Sequence, residues 1–148
     1  MIPQEFLASD ASAILGSFAN ELASMSFVDV FKKTTDSLHD GFQANFTNTR
    51  APYGTWPPHA PYTIQKYGPH PLLILTGAML ASVTQSGSDG RIEQISANEM
   101  VIGTSLFYAG FQQYGTLKIP PRPFLWLDGD HLEKVTEAFV DAISSILT

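Results

Sequence analysis

The stretch Phe107–Leu127, FYAGFQQYGTLKIPPRPFLWL, narrows the choice of fold more than any other part of the chain. Its aromatic side chains (Phe107, Tyr108, Phe111, Tyr114, Phe124 and Trp126) are costly to leave in water, so most of them should be covered by the fold or by a partner. Pro120, Pro121 and Pro123 remove backbone donors and restrict their neighbours, which excludes one continuous helix or one central strand. The pattern predicts a short helix or turn over Phe107–Tyr114, a break at Gly115, and an extended piece Leu117–Ile119. A stiff proline corner and a second extended piece, Phe124–Leu127, follow. Such a segment either holds two layers of one subunit together or presents a preorganised surface to another subunit.

On the N-terminal side, Phe6, Leu7, Ala11, Ile14, Leu15, Phe18 and Leu22 recur with helical period over residues 4–24 and form one apolar stripe. A second stripe, Phe27, Val30, Phe31, Thr34, Leu38, Phe42 and Phe46, predicts another helix, or the continuation of one bent helix. Ser24 or Ser26 can cap it, Ser26 and Asp29 having capping-box spacing. Gly41 and the cluster Asn45–Asn48 mark its decay. Thr49–Pro71 then carries six prolines with Gly54 and Gly68, a spacing that leaves no regular element of length. It also carries Tyr53, Trp56, Tyr62, Ile64 and Tyr67, which disordered segments usually lack. A long loop that orders on a partner reconciles the two facts.

Beyond the loop, Thr76 is placed to cap a short helix with Met79, Leu80 and Val83 on its inner face. Arg91–Ser96 and Met100–Gly103 read as a hairpin about Ala97-Asn98-Glu99. A last helix, capped by Asp128 or Asp130, should bury Leu132, Val135, Phe139, Ile143 and Ile146 or Leu147. The order predicts an α+β fold, a single domain with N-terminal and C-terminal helices packed on an antiparallel sheet. Its parts are a helical region 1–48, the Pro-rich loop 49–71 and a core 72–148.

Charge then limits the function. Charged residues make up 15% of the 148, against about a quarter in ordinary domains. A sparse charge layer guards poorly against association, so burial of surface between subunits is expected. The formal net charge of −6 argues against a nucleic-acid grip, which needs clustered Lys or Arg. The chain has no cysteine, which removes disulfides, thiol catalysis and thiolate metal sites. The N-terminus lacks the basic region of a signal peptide, and the apolar run Leu72–Leu75 is far too short to span a bilayer.

Catalytic signatures are missing: there is no HExxH, Walker A loop, GxSxG elbow or GxGxxG fingerprint. His39, His59, His70 and His131 are scattered, and Ser86, Ser88 and Asp89 sit in a turn whose composition explains them. No catalytic, cofactor or metal set is therefore assigned, and no cofactor is expected. The candidate interface residues are Trp56, Tyr62, Tyr67, Phe111, Gln112, Gln113, Tyr114, Arg122, Phe124 and Trp126. Arg122, held between two prolines, can fork onto a carboxylate or a carbonyl pair at reduced ordering cost. Its expected roles are a salt link within an oligomer, a link to Glu99 or Asp128, or a capped corner inside one subunit. Gln112 and Gln113 would bond a neighbour's backbone or their own, and Trp56 and Trp126 would act as core anchors or interface hot spots.

Several short motifs fall in a familiar order. Gly54-x-Trp56 precedes the Pro-rich loop. Leu75-Thr76-Gly77-x-x-Leu80 opens a short helix, and Val101-Ile102-Gly103-Thr104 ends the hairpin. Tyr108-Ala109, Gln112-Gln113-Tyr114-Gly115 and Ile119-Pro120-Pro121-Arg122-Pro123-Phe124-Leu125 follow. Over residues 50–145 the chain resembles the phage virion morphogenesis family, the tail-completion proteins typified by the G protein of phage Mu and the S protein of phage P2. Gln112 stands where that family commonly has histidine, and Pro121 where it has alanine. The resemblance implies a non-enzymatic structural subunit of a tailed-phage neck. Such a subunit completes the tail or joins it to the capsid connector, usually as a ring, in the virion and in the host cytoplasm during assembly. A tail terminator, a connector adaptor and a non-viral protein-binding module are the alternatives. The implied partners are copies of the chain and the connector, adaptor, terminator or tail-tube proteins. No membrane and no sequence-specific nucleic acid are among them. Net negative charge suits a lumen that passes DNA without holding it.

Overall fold

The computed structural model describes residues 9–147. It is an α+β fold: α1 (Ser9–Ser24), α2 (Val28–Thr47), β1 (Arg50–Ala51), β2 (Gly54–Thr55), α3 (Pro61–Tyr67), α4 (Ala78–Thr84), β3 (Arg91–Ile95), β4 (Met100–Thr104), α5 (Ala109–Tyr114) and α6 (Gly129–Ser144), closed by a 3-10 turn Ser145–Leu147. The strands form two antiparallel ribbons of two strands each, β1 with β2 and β3 with β4. The predicted single sheet is thus a hairpin, in the register Arg91↔Thr104 to Ile95↔Met100, and a second small ribbon inside the Pro-rich segment.

Helix α2 is the spine. Its predicted stripe is buried at Val30, Phe31, Thr34, Leu38, Phe42 and Phe46, as 3.6-residue periodicity requires. Phe27 occupies its N-cap without a side-chain hydrogen bond, so Ser26 and Asp29 form no capping box. The Phe27 amide is bonded instead by the Ala97 carbonyl in the hairpin turn, at 2.8 Å. Gly41 does not weaken the helix end. It is buried where α2 meets the start of α6, and a Cβ there would lie 2.6 Å from Leu127 and 3.3 Å from His131. Phe27 and Phe31 pack on Phe139 at ring distances of 5.5 and 5.4 Å, so α6 runs antiparallel to α2. Asp128 caps α6 by accepting the His131 amide at 3.0 Å, in preference to Asp130. That amide, the His131 ring and Arg50 hold the Asp128 carboxyl well below the usual carboxylate range. Of the face predicted for α6, Leu132 and Leu147 are exposed, while Val135, Phe139, Ile143 and Ile146 are partly covered.

The central core gathers Leu38, Phe42, Phe46, Trp56, Met79, Val83, Ala109 and Phe124. Phe46 meets Trp56 edge-on at 5.6 Å and Phe124 at 5.5 Å. The hydroxyls of Ser82 and Thr104, 2.9 Å apart, tie α4 to β4.

Helix α1 departs most from expectation. From Asp10 to Ser24 none of its residues is buried and only Phe18 is partly covered; Ile14 is 60% and Leu15 67% exposed. It leaves the N-terminal end of α2 and packs against the terminal 3-10 turn. Phe6 and Leu7 of the predicted stripe lie outside the described residues.

Asn45, fully buried on α2, donates to the Phe124 and Trp126 carbonyls, both at 2.8 Å, and accepts from Arg50 Nε at 3.1 Å. Asn45→Ala should lower the unfolding free energy by roughly 2–4 kcal/mol, because three buried groups lose their partner. Asn48→Ala, three positions on and exposed, should change it by less than about 0.5 kcal/mol in the same urea titration.

His39 accepts from Arg91 Nη2 at 2.7 Å, which requires a neutral imidazole. Burial, and then the Arg91 charge, push its pKa below 6.5. The unfolded chain therefore binds the extra proton first, and stability should fall as pH drops below about 6.5. His39→Gln keeps an acceptor but no titration, so urea midpoints for this variant should be flatter between neutral and mildly acidic pH.

Candidate functional site

The corner is built from its backbone outward. Gly115 ends α5 at φ +73°, and a Cβ on it would sit 2.8 Å from both the Ile119 carbonyl and the Pro121 nitrogen. Both the left-handed backbone and the space thus call for glycine. Thr116 folds the next residues into a tight bend: its amide bonds the Ile119 carbonyl at 2.8 Å, and its hydroxyl accepts the Ile119 amide at 3.0 Å. Leu117–Ile119 is therefore a bend and not the predicted extended piece, with Leu117 fully exposed at its tip.

The chain then runs irregularly from Pro121 to Leu127 without a strand partner. Side chains satisfy it instead. Gln113 Oε1 accepts the Phe124 and Leu125 amides at 2.9 and 3.0 Å, and Trp56 Nε1 donates to the Pro123 carbonyl at 2.9 Å. Asn45 takes the Phe124 and Trp126 carbonyls. The Arg122 amide reaches the Gln112 carbonyl at 2.6 Å.

Arg122 forks onto a carbonyl pair of its own chain, Nε to Pro57 at 2.8 Å and Nη2 to Pro58 at 2.6 Å. Burial pushes its pKa down from the ordinary guanidinium value, and among the described residues it has no carboxylate partner. The predicted links to Glu99 and Asp128 are absent. Asp128 is paired with Arg50 at 2.7 Å, because Arg50 lies beside the α6 cap, where its guanidinium also covers the Trp126 ring at 5.3 Å. The Pro-rich segment is likewise ordered on its own chain, by Arg122 and Trp56 and by the ribbon and helix it contains.

This construction leaves a cavity of about 750 Å³ open to solvent between the Pro-rich segment and the corner. Met79, Tyr108, Gln112 and Arg122 line its inner part. Tyr67, His59 and His70 border it on one side, Leu73 and Leu75 on another, and Lys118–Pro120 on a third. Leu73 is held at φ +61°, a strained conformation for a leucine. The His59 and His70 rings lie 4.2 Å apart. His59 Nε2 bonds the His70 carbonyl at 3.1 Å, and His70 Nδ1 the Gly68 carbonyl at 2.8 Å. The Gln112 Oε1 atom is buried and has no hydrogen-bond partner within the described residues. No Asp or Glu lines the cavity.

The predicted interface residues divide accordingly. Trp56, Phe124 and Arg122 are buried within the chain, and the hydrogen bonds of Trp56 and Arg122 go to its own carbonyls. Gln113 and the half-buried Trp126 are also bonded within the chain, the latter to the Arg50 carbonyl at 3.3 Å. Tyr67, Gln112 and Arg122 come together at the cavity, and Tyr62, Phe111 and Tyr114 are exposed. Asn45, Arg50 and the His pair are what sequence reasoning missed. The spacing of Asn45 in the α2 stripe, three beyond Phe42, placed it on the buried face all along. Among the described residues no helix is long and apolar enough to cross a membrane, and no group of three or more His, Asp or Glu is placed to hold a metal ion. Ser88, from the turn considered for hydrolysis, bonds the Ala81 carbonyl at 2.7 Å.

The chain matches no protein-family model, no curated protein and no solved structure.

Arg122→Ala should destabilise the isolated chain by about 2–3 kcal/mol, the worth of two charge-assisted hydrogen bonds and a buried stem. Arg122→Lys should not restore it, since an ammonium lacks the planar fork. Urea titration of the isolated protein reads both; an unchanged midpoint for Arg122→Ala would show that the fork is not part of the fold's support.

Proposed function

We propose that the chain is a non-enzymatic structural subunit of a tailed-phage neck, completing the tail or joining it to the capsid connector as part of an oligomeric ring. The observation that carries this reading is α1. A helix of 16 residues with little packing is marginal in water, and this one touches only the terminal 3-10 turn closely and leaves Ile14, Leu15 and Leu22 open. Such a face is what a subunit keeps for assembly. The exposed Tyr62, Phe107, Phe111, Tyr114 and Leu117 add apolar area that a free monomer has no use for. The ordered motifs of residues 50–145 supply the phage assignment. The fold supports a rigid adaptor, because its Pro-rich segment is pinned from within and keeps its cavity without a partner.

The cavity itself favours a second reading, a module that binds one peptide or protein without forming a ring. Fractionation of phage particles separates the two. A neck subunit should travel with intact tails at a fixed, ring-like stoichiometry. The double variant Ile14→Asp, Leu15→Asp should fold with an unchanged urea midpoint, because both positions are exposed, yet be lost from particles. Recovery of the variant at wild-type level in particles, or absence of the wild-type chain from tails, would end the proposal.

A further inference from the structure

An exposed apolar helix face and an open cavity sit toward opposite ends of α2, which at 20 residues spans about 30 Å. α1 springs from its N-terminal end. The cavity lies beyond its C-terminal end, where Phe46 meets Trp56 and Phe124. Neither is self-complementary, and they differ in charge. α1 carries Asp10 and Glu21 and no base. On a helical wheel Ala11, Ile14, Leu15, Phe18 and Leu22 fill an arc of about 100°, and both acids fall along the Ile14 edge of that arc. The cavity is lined by Lys118, His59, His70 and the carbonyl-bonded Arg122 and by no acid, in a chain whose acids outnumber its bases 14 to 8. Its wall is apolar at Leu75, 53% exposed. An amphipathic helix laid into an apolar groove through residues at i, i+4 and i+8 is a common recognition mode, and Ile14, Phe18 and Leu22 have that spacing.

We infer that α1 of one copy seats in this cavity of the next, its apolar arc against Leu75 and the cavity wall and its acidic edge against Lys118. This contact is head-to-tail: one surface of each copy meets a different surface of its neighbour. The inference rests on the assembly reading proposed above and names the surface that would build it.

The absence of cysteine makes a clean test. Single cysteines are placed at Ile14, Leu15, Phe18 or Leu22 in one preparation of the full chain and at Leu75 in another. The preparations, kept reduced until use, are each exposed to an added oxidant alone and, in parallel, after mixing, at the highest soluble concentration. A disulfide-linked dimer should appear in at least one mixture and in neither preparation alone. A chain carrying both cysteines should give a ladder of multimers. Lys118→Glu in the Leu75→Cys chain should lower the dimer yield, and Glu21→Lys in its partner should restore it.

No linkage from any of the four α1 positions overturns the inference. So does faster linkage within one preparation than in the mixture, which means a self-complementary contact. An unchanged yield with Lys118→Glu overturns the charge pairing that selects this occupant. If no dimer links but the chain still travels with tails, the seating is wrong and the neck reading stands. If it links but never travels with tails, the reverse holds.

Discussion

An irregular backbone without a neighbouring strand is the constraint from which the rest of this structure follows. Pro121 and Pro123 cannot donate to a ladder, so a sheet could satisfy the segment only in part. Its polar groups still need partners once Phe124 is fully buried. Side chains supply them: Asn45 from α2, Gln113 from α5, and Trp56 from the residue after β2. Each has to reach inward past apolar neighbours, which fixes α2, α5 and the small ribbon relative to one another. The corner is thereby a mould, and the cavity is the space left where Arg122 holds the Pro57 and Pro58 carbonyls apart from α4.

Much of this was legible from periodicity and punctuation. The α2 stripe, the hairpin, the stop at Gly115 and the Asp128 cap each rest on local rules, and each is present. What the sequence concealed depends on contacts distant along the chain. The helical spacing puts Asn45 on the buried face, but the carbonyls it serves lie 79 and 81 positions away, while Asn48 is exposed. Gly41 looks like a terminator because its value as a close-approach residue depends on Leu127, 86 positions away. Arg122 was singled out correctly as a residue with a fixed geometry, and the carbonyl pair was among its possible partners. Which partner it takes depends on the path of the Pro-rich segment, and proline spacing alone left that path open.

The low charge content takes on meaning beside the burial pattern. Five of the eight basic residues are Lys32, Lys33, Lys66, Lys118 and Lys134; the other three are arginines, each engaged within the fold. Arg50 serves Asp128 and Asn45, Arg91 serves Glu93 and His39, and Arg122 serves two carbonyls. Positive charge available to a partner is therefore lysine, and among the cavity residues it is Lys118. Acids remain in excess over the rest of the chain. A surface so divided favours a contact between unlike patches over a contact between like ones, since two cavities would oppose bases to bases and two α1 helices acids to acids.

A head-to-tail contact closes into a ring only when the rotation it imposes divides a full turn, and otherwise grows into a filament. In the contact inferred above, that rotation would be set by the angle α1 makes with α2. The Met25–Phe27 link determines it, and two contacts hold the link in place. One is the hydrogen bond from the Phe27 amide to Ala97 in the hairpin turn, and the other is the packing of α1 on the 3-10 turn after α6. Neither contact involves a residue that lines the cavity. Closure would thus be governed by residues that touch neither face of the contact, so the affinity of one copy for the next and the number of copies in a ring would be tuned by separate parts of the same fold.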